Sequence, residues 1–434
     1  MNRSVLKNAS WIIGCKIVQS VMTFIIGMIT ARYLGPSNYG LINYAASISA
    51  FFLPIMKLGL DATLVQEIIE HPDDEGTVVG TSFVMNILAS FVSIAGISIF
   101  TLIANAGETE TILVCILYSL TLVFQAGEII QYWFQSKLLS KYPSISALIA
   151  YTVVSVYKIY ILMTGKGVLW FVVTHAIEAA IISLLLWVTY IRVGKQKVAI
   201  SPSLGKNMFS RSKYYIISGL MVVIFQQTDR IMLRLMYGES EIGYYSAAFT
   251  CVGISAFVFS AIIDSLRPSI LEGKKIANDT YEKRLILFFS IVTFLSLAQS
   301  VGMTLFAKSM IRILFGEPYA PAITVLRILV WYVVFSYWGT GRNIWILAEG
   351  KQKYLWRINL AGAALNVVGN AILIPWLGAQ GAAIATVLSQ FFANGVLIFV
   401  IKPMRPVGKI ICRSINPKYL MQFSKHRKHN DHMS

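Results

Sequence analysis

Apolar runs long enough to cross a bilayer follow one another along almost the whole chain, separated by short polar stretches. A spanning helix needs about 20 largely apolar residues to cross a hydrocarbon core of ~30 Å. Twelve runs meet that length, over residues 11–33, 39–58, 77–104, 111–135, 145–164, 168–191, 214–236, 242–271, 285–307, 322–348, 355–376 and 379–401. The pattern predicts an all-α integral membrane protein with no room for a sizeable soluble domain. Arg3 and Lys7 precede the first run and no small-residue cleavage site follows it, so this helix is expected to stay as an uncleaved signal-anchor.

Composition agrees. Of 434 residues, 56% are hydrophobic and 13% charged, with a mean hydropathy of +0.66, well outside soluble-domain usage. The net charge of +17 suggests nucleic acid in a soluble chain, but in a membrane protein the placement of Lys and Arg among loops reports topology, and no nucleic-acid partner is expected. Arg192, Lys195, Lys197, Lys206, Arg211 and Lys213 cluster between the sixth and seventh runs. Lys274, Lys275, Lys283, Lys351 and Lys353 fall on loops of the same parity, and the opposite loops carry mainly Lys166 and Lys308. Both termini are therefore expected in the cytoplasm. The acidic stretch 67–75 runs against this pattern, although carboxylates weigh little in the rule. The four cysteines, Cys15, Cys115, Cys251 and Cys412, have no close pairing or metal-type spacing, so neither a disulfide nor a structural metal is expected.

Two short patterns recur about 200 residues apart, as in transporters built from internal repeats. Gly35-Pro-Ser-Asn-Tyr-Gly40 with Tyr44-Ala45-Ala46 resembles Gly238-Glu-Ser-Glu-Ile-Gly243 with Tyr245-Ser-Ala247-Ala248, and Arg32 and Arg234 precede the two turns. Trp133 with Lys141-Tyr142 eight residues on is matched at the same spacing by Trp345 with Lys353-Tyr354. The order is kept, which argues for duplication of a six-helix unit. The expected organisation is an N-terminal six-helix bundle over 1–193, a basic cytoplasmic linker over 194–213, a C-terminal six-helix bundle over 214–401 and a basic cytoplasmic tail over 402–434. Because both halves insert the same way up, their pseudo-two-fold axis stands perpendicular to the membrane, with a substrate path between them.

Ionisable groups inside spans are costly and usually face a bundle interior or a wet cavity. In the seventh span Gln226, Arg230 and Arg234 recur at four-residue steps, flanked by Gln227 and Asp229, which puts them on one face. The first span offers Lys16, Ser20, Thr23, Gly27 and Thr30. In the tenth, Arg327, Trp331, Trp338, Arg342, Trp345 and Glu349 fall within roughly 60° of arc on a regular helix. Such a face can meet phosphate through guanidinium and a sugar or prenyl chain through indole. Plainer readings stand beside these. Arg32, Arg234 and Glu349 sit near span ends, where snorkelling to headgroups explains them, and Asp229 next to Arg230 is also a locally neutralised pair. Asp264 and Arg267, ahead of Pro268, read as a structural pair at a helix end. Glu128, among Gln125, Tyr132 and Gln135, is a candidate proton carrier. His175 and Glu178 share a face but fit a hydrogen-bonded histidine, and His426, His429 and His432 belong to a basic polar tail that reads as disordered. The small residues of 378–386 read as helix packing. No Walker-type loop, catalytic carboxylate pair on a soluble loop, or nucleophile elbow is present, so neither an enzyme nor a cofactor is expected.

The segments Ala31-Arg-Tyr-Leu-Gly-Pro-Ser-Asn-Tyr-Gly40, Gln227-Thr-Asp229-Arg-Ile-Met-Leu233, Gly243-Tyr-Tyr-Ser-Ala-Ala248 and Gly378-Ala-Gln-Gly-Ala-Ala-Ile-Ala-Thr386, in this order and spacing, resemble the Wzx-type polysaccharide flippases over nearly the whole chain. The resemblance implies a MATE-like, V-shaped arrangement of two six-helix bundles, shared with multidrug exporters and the lipid II flippase. It also implies an undecaprenyl-pyrophosphate-linked oligosaccharide repeat unit of O-antigen, capsule or exopolysaccharide as substrate, moved from the cytoplasmic to the periplasmic leaflet. Membrane lipid, a polysaccharide polymerase and a chain-length regulator are the partners it suggests. An anionic, bulky substrate fits a groove of buried cations and aromatics. The expected substrate contacts are Lys16, Arg230 and Arg342, then Arg234, Arg327, Trp338 and Gln226, with Asp229 or Glu128 coupling transport to an ion or proton gradient. A cation-coupled drug exporter on the same fold would favour carboxylates, whereas the seventh and tenth spans favour arginine. A polymerase would need a long periplasmic loop, and the longest expected outside loop covers only about 308–321.

Overall fold

A computed structural model describes residues 3–194 and 196–419, and the side chains among them other than those of residues 3–13 and 16. Helices account for nearly all of it. In chain order they are α1 (Arg3–Lys57), α2 (Glu75–Ala104), α3 (Thr109–Ser136), α4 (Lys141–Met163), α5 (Val168–Val193), α6 (Pro202–Met236), α7 (Glu239–Gly253), α8 (Ala256–Ile276), α9 (Asn278–Leu314), α10 (Ala322–Ala348), α11 (Gln352–Leu377), α12 (Ala379–Val400) and α13 (Arg405–Ser414). Among the described residues ten helices are long and apolar enough to span a bilayer, or eleven if α7 with α8, bent by 44°, count as one broken span. The 55 residues of α1 would reach ~80 Å if straight, far more than a bilayer needs. Gly35, at φ 71° and ψ 174°, breaks the helix, and Pro36, locked near the helical φ, restarts it. Thus α1 supplies two of the twelve expected spans, and the protein is a multi-pass membrane protein.

The chain divides into two compact units, Met1–Gly243 and Tyr244–Ser434. Some helices turn a polar face inward and an apolar face outward. Along α2, Leu88, Val92, Ile99 and Ile103 are exposed, while Ser82, Asn86, Ser90, Ser93 and Thr101 are buried. This inversion is expected where lipid is as apolar as leucine and helices meet through small residues and hydrogen bonds. Short hydroxyl side chains satisfy themselves on their own helix: Ser82 Oγ donates to Val78 O at 2.7 Å, and Thr101 Oγ1 to Ile97 O at 2.9 Å.

In the first unit, α6 packs on α1. Ser212 Oγ donates to Leu58 O at 2.8 Å, and a Cβ on Gly59 would lie 2.4 Å from Ser212 O. The segment before α6 is strapped along the start of α2. Gly76 N donates to Gln196 Oε1 at 3.0 Å, Ser201 N donates to Thr81 Oγ1 at 3.0 Å, and a Cβ on Gly80 would meet Ala199 O at 2.3 Å. The acidic stretch finds its counter-charges on this same face. Arg211 lies 3.2 Å from Glu67 and 3.9 Å from Glu70, and Lys137 lies 2.6 Å from Glu75. Acidic residues therefore sit on a basic face because they are paired there.

The repeated tryptophans are each buried in the core of their own unit. Trp133 and Trp345 are each 3% exposed. Trp133 stands edge-on to Tyr190 at 4.9 Å, in a core with Leu60, Val78 and Met208. Trp345 lies in a core with Phe288, Phe289, Ile358 and Val407. In the second unit α11 and α12 meet through the small residues 378–386: Ala379, Gly381, Ala382, Ala383 and Ala385 are buried, and a Cβ on Gly381 would come 2.3 Å from Leu373 O. Asp264 and Arg267 do not mark a helix end, because α8 runs through Pro268 to Ile276.

Candidate functional site

The polar face of α6 divides into two environments. Arg230 is half-buried, and its Nη1 donates to Gln227 Oε1 at 2.7 Å. The same oxygen accepts from Ser47 Oγ on α1 at 3.1 Å. Gln226 is exposed and Asp229 is 4% exposed. Two turns on from Gln226, Arg234 enters a clamp. Its Nη2 donates to Glu108, to Glu239 Oε1 at 3.1 Å and to Thr111 Oγ1 at 3.3 Å, and its guanidinium stands 5.8 Å from the Tyr44 ring centre. Ser37 Oγ donates to Glu239 Oε2 at 2.6 Å, and Tyr44 OH to Asn105 Oδ1 at 2.9 Å. The clamp thus ties together the turns that follow the first span, α2 and α6. Arg234 is a carboxylate-bound guanidinium at a helix end.

Glu128 lies elsewhere in this unit. With Leu53, Lys57, Asp61, Asn86, Gln125 and Tyr132 it lines a small polar cavity of about 70 Å³. Lys57 and Asp61 pair there at 3.9 Å, and the Asn86 Oδ1 atom is buried without a hydrogen-bond partner among the described residues. Lys16 lies outside the residues whose side chains are described, as does the histidine-bearing tail 426–432.

In the second unit the tenth-span stripe does not survive as one face. The helix is interrupted between Leu329 and Tyr332, so the regular 100° step used to align the stripe resets there. Arg327 and Trp331 are exposed, Trp338 is half-buried, and Arg342 and Trp345 are buried. Trp345 is core, under Lys351 at 4.4 Å, and Glu349 is paired with Lys274 at 2.5 Å. Trp338 and Arg342 remain together on consecutive turns. Trp338 Nε1 donates to Thr293 Oγ1 at 2.8 Å. Arg342, 3% exposed, donates from Nη1 to Asn394 Oδ1 at 2.9 Å and Ala393 O at 3.2 Å, and from Nη2 to Asn343 Oδ1 at 3.0 Å. Residues Phe392–Val396 form a π-helical turn within α12; such turns shift the backbone hydrogen-bond pattern, and Arg342 bonds the carbonyl of Ala393 there. A Cβ on Gly339 would come 2.6 Å from Asn394 Oδ1, so glycine at 339 leaves Asn394 room. All of these partners are neutral, and among the described residues no carboxylate pairs with Arg342.

Two polar groups went unread in the sequence, wholly or in part. Lys158 on α4 is 9% exposed and its charge interacts with that of Glu178 on α5; of this group only Glu178 and His175, whose ring lies 5.0 Å from that of Tyr118 at a tilt of 38°, were marked by the sequence. The signal was a lysine in the middle of the run 145–164. Asn343, Gln390 and Asn394 form the other group, with Asn394 Nδ2 donating to Gln390 Oε1 at 2.7 Å. Amides within the spans, of which Asn394 is buried, are its only sequence trace. Of possible metal ligands, Glu67, Glu70 and His71 bring their atoms within 4.8 Å of one another, but Arg211 already pairs with both carboxylates.

Residues 5–274 match the family described as polysaccharide biosynthesis protein. The capsular polysaccharide biosynthesis protein CapF of Staphylococcus aureus is 23% identical over 401 residues, 89% of this chain and 97% of that one. The probable low-salt glycan biosynthesis flippase Agl15 of Haloferax volcanii is 26% identical over 230 residues, 51% of this chain and 48% of that one. Among solved structures, the lipid II flippase MurJ in an inward closed conformation aligns with a TM-score of 0.70 at 13% identity, covering 94% of this chain and 92% of that one. An inward-facing MATE family multidrug transporter aligns with a TM-score of 0.69 at 14% identity, covering 90% and 95%. The fold is therefore the MATE-like transporter fold that the family resemblance implies. The chain belongs to the polysaccharide biosynthesis protein family.

Proposed function

We propose that this family member is a flippase. It moves lipid-linked oligosaccharide repeat units, carried on undecaprenyl pyrophosphate, from the cytoplasmic to the periplasmic leaflet of the inner membrane, with both termini in the cytoplasm. The observation that carries the reading is Arg342, a guanidinium 3% exposed whose partners are all neutral. An unpaired buried charge is costly, and in a transporter that cost is offset if the charge attracts an anionic headgroup when the path opens. The names of CapF and Agl15 supply the glycan side of the argument.

The two halves rock in an alternating-access cycle, and the 402–434 tail stays cytoplasmic. Arg230, Arg342 and Lys16 are the headgroup cations, with Gln226, Trp338 and Arg327 as further contacts. Arg234 reaches substrate only if the Glu108 and Glu239 clamp opens. Asp229 or Glu128 couples the cycle to an ion or proton gradient, and a polymerase and chain-length regulator receive the product. No step is chemical catalysis.

The test is a gene deletion in the native host, followed by assignment of the leaflet in which the lipid-linked glycan accumulates. Cytoplasmic-face accumulation, reversed by wild type and by Arg342→Lys but not by Arg342→Gln at equal expression, is the expected result. Unimpaired glycan export in the deletion strain would sink the flippase reading. Full rescue by Arg342→Gln would remove Arg342 from the site.

A further inference from the structure

Beside Trp338, α12 and α13 border a wide, largely open groove of about 550 Å³, lined by Trp338, Phe391, Val396, Phe399, Val400 and Arg405. Its volume lies in the range of small-ligand cavities, ~300–1,000 Å³. Two glycines create it. Gly395 leaves the wall between Phe391 and Trp338 without a side chain, and a Cβ there would lie 3.1 Å from Phe391 and 3.9 Å from Trp338. Gly408 lets α13 close against Phe399, whose ring would be 2.8 Å from a Cβ at that position. The floor is firmly held: Ser290 Oγ donates to Ser414 O at 2.8 Å, Lys351 Nζ donates to Pro403 O at 3.1 Å, and Val407, Ile410 and Ile411 are buried.

The mouth is basic. Arg405 Nε donates to Phe399 O at 2.9 Å, one of the last carbonyls of α12, which no residue further along that helix can satisfy. The guanidinium is thereby fixed, and its two terminal nitrogens make no hydrogen bond among the described residues. Lys402 and Lys409 are exposed beside it on the same short segment, and no ion pair engages any of the three among the described residues. Helix α13 thus spends its apolar face on the protein core and leaves its cations outward.

We propose that this groove is a binding site for an anionic glycerophospholipid of the adjoining leaflet. One acyl chain lies along Phe391, Val396 and Phe399, and the phosphate sits on the terminal nitrogens of Arg405, which present paired donors to phosphate oxygens. An aromatic wall and a preset guanidinium suit a resident lipid held against the C-terminal helix. The inference does not depend on which cargo the protein carries.

The experiment uses the full chain in phosphatidylcholine vesicles doped with photoactivatable phosphatidylglycerol or, separately, photoactivatable phosphatidylcholine, each with a diazirine in the acyl chain. Adducts are mapped by peptide mass spectrometry. Residues 391–400 should be labelled about fivefold more by the phosphatidylglycerol probe, the factor expected for one basic residue at an anionic interface. The lipid-facing peptide around Leu88 and Val92 should show no preference. Arg405→Gln should abolish the preference and Arg405→Lys retain much of it, so that a folding defect in one variant is checked by the other. Gly395→Leu should reduce labelling of 391–400 by both probes. Equal labelling by the two lipids in the wild type, or a preference that persists in Arg405→Gln, overturns the proposal. Displacement of the probe by undecaprenyl phosphate but not by unlabelled phosphatidylglycerol overturns it too, since the groove would then hold an isoprenoid carrier.

Discussion

The two repeated turns lock into each other through a reciprocal pair of glycines, and adding one carbon to either should force them apart. A Cβ on Gly40 would fall 2.0 Å from Glu239 O and 3.0 Å from Gly243 N, and a Cβ on Gly243 would fall 2.1 Å from Pro36 O. Ordinary contact begins near 3.4 Å, so Gly40→Ala or Gly243→Ala must separate the segments by more than 1 Å. The opposing atoms are backbone and cannot rotate away. Overpacking of this kind costs ~1–3 kcal/mol, and rigid backbone puts it near the upper end. Alanine recovers roughly 1 kcal/mol of helix propensity, leaving a net loss of about 2 kcal/mol per substitution. Both changes open the same contact, so the double variant should cost much less than the sum. Gly302→Ala, with no atom within 4 Å of its Cβ, is the control and should be neutral or slightly stabilising. The assay is reversible denaturation of the purified full chain in mild detergent for the two single variants, the double variant and the control. Single variants within ~0.5 kcal/mol of wild type, the range of ordinary surface changes, would refute the close approach, and strictly additive losses would refute the shared contact.

Two further outcomes follow from the polar networks. Arg234→Ala strands Glu108 and Glu239 beside each other; because those carboxylates are 44% and 28% exposed, solvent screening limits the loss to about 1–2 kcal/mol. Arg234→Lys should recover part of it in the same denaturation assay, and no loss in the alanine variant would dissolve the clamp. Asn394→Ala removes a neutral acceptor from a buried guanidinium and should cost about 1.5–3 kcal/mol, the range for hydrogen bonds to charged groups. Asn394→Asp supplies a counter-charge and should stabilise the detergent-solubilised protein relative to Asn394→Ala; equal stability of the two would mean that Arg342 is not charged and buried as described.

The sequence alone determined the membrane class, the positions of the spans and the duplication. Each rests on a chemical requirement that acts locally: about 20 apolar residues per crossing, and glycine where a turn needs positive φ, as at Gly35 and Gly238. Several boundaries also followed from composition, but a single glycine interrupts the helix that carries the first two spans, and the eighth is bent by 44°. The helices of the seventh and ninth run well past their apolar runs, from Pro202 and over Asn278–Leu314. The fate of the charged residues was different. Arg234 and Arg230 are equivalent on a helical wheel, yet one is bound by two carboxylates and the other lies against Gln227, because the carboxylates arrive from residues 108 and 239 on other turns. The tenth-span stripe likewise needed the break near residue 330 to separate Arg327 from Arg342. The acidic stretch 67–75 became intelligible only once Arg211 and Lys137 were seen to face it. A helical period states which residues share a side of their own helix. What lies opposite depends on packing between segments far apart in the chain, and this decides whether a buried charge is neutralised at home or left for a ligand.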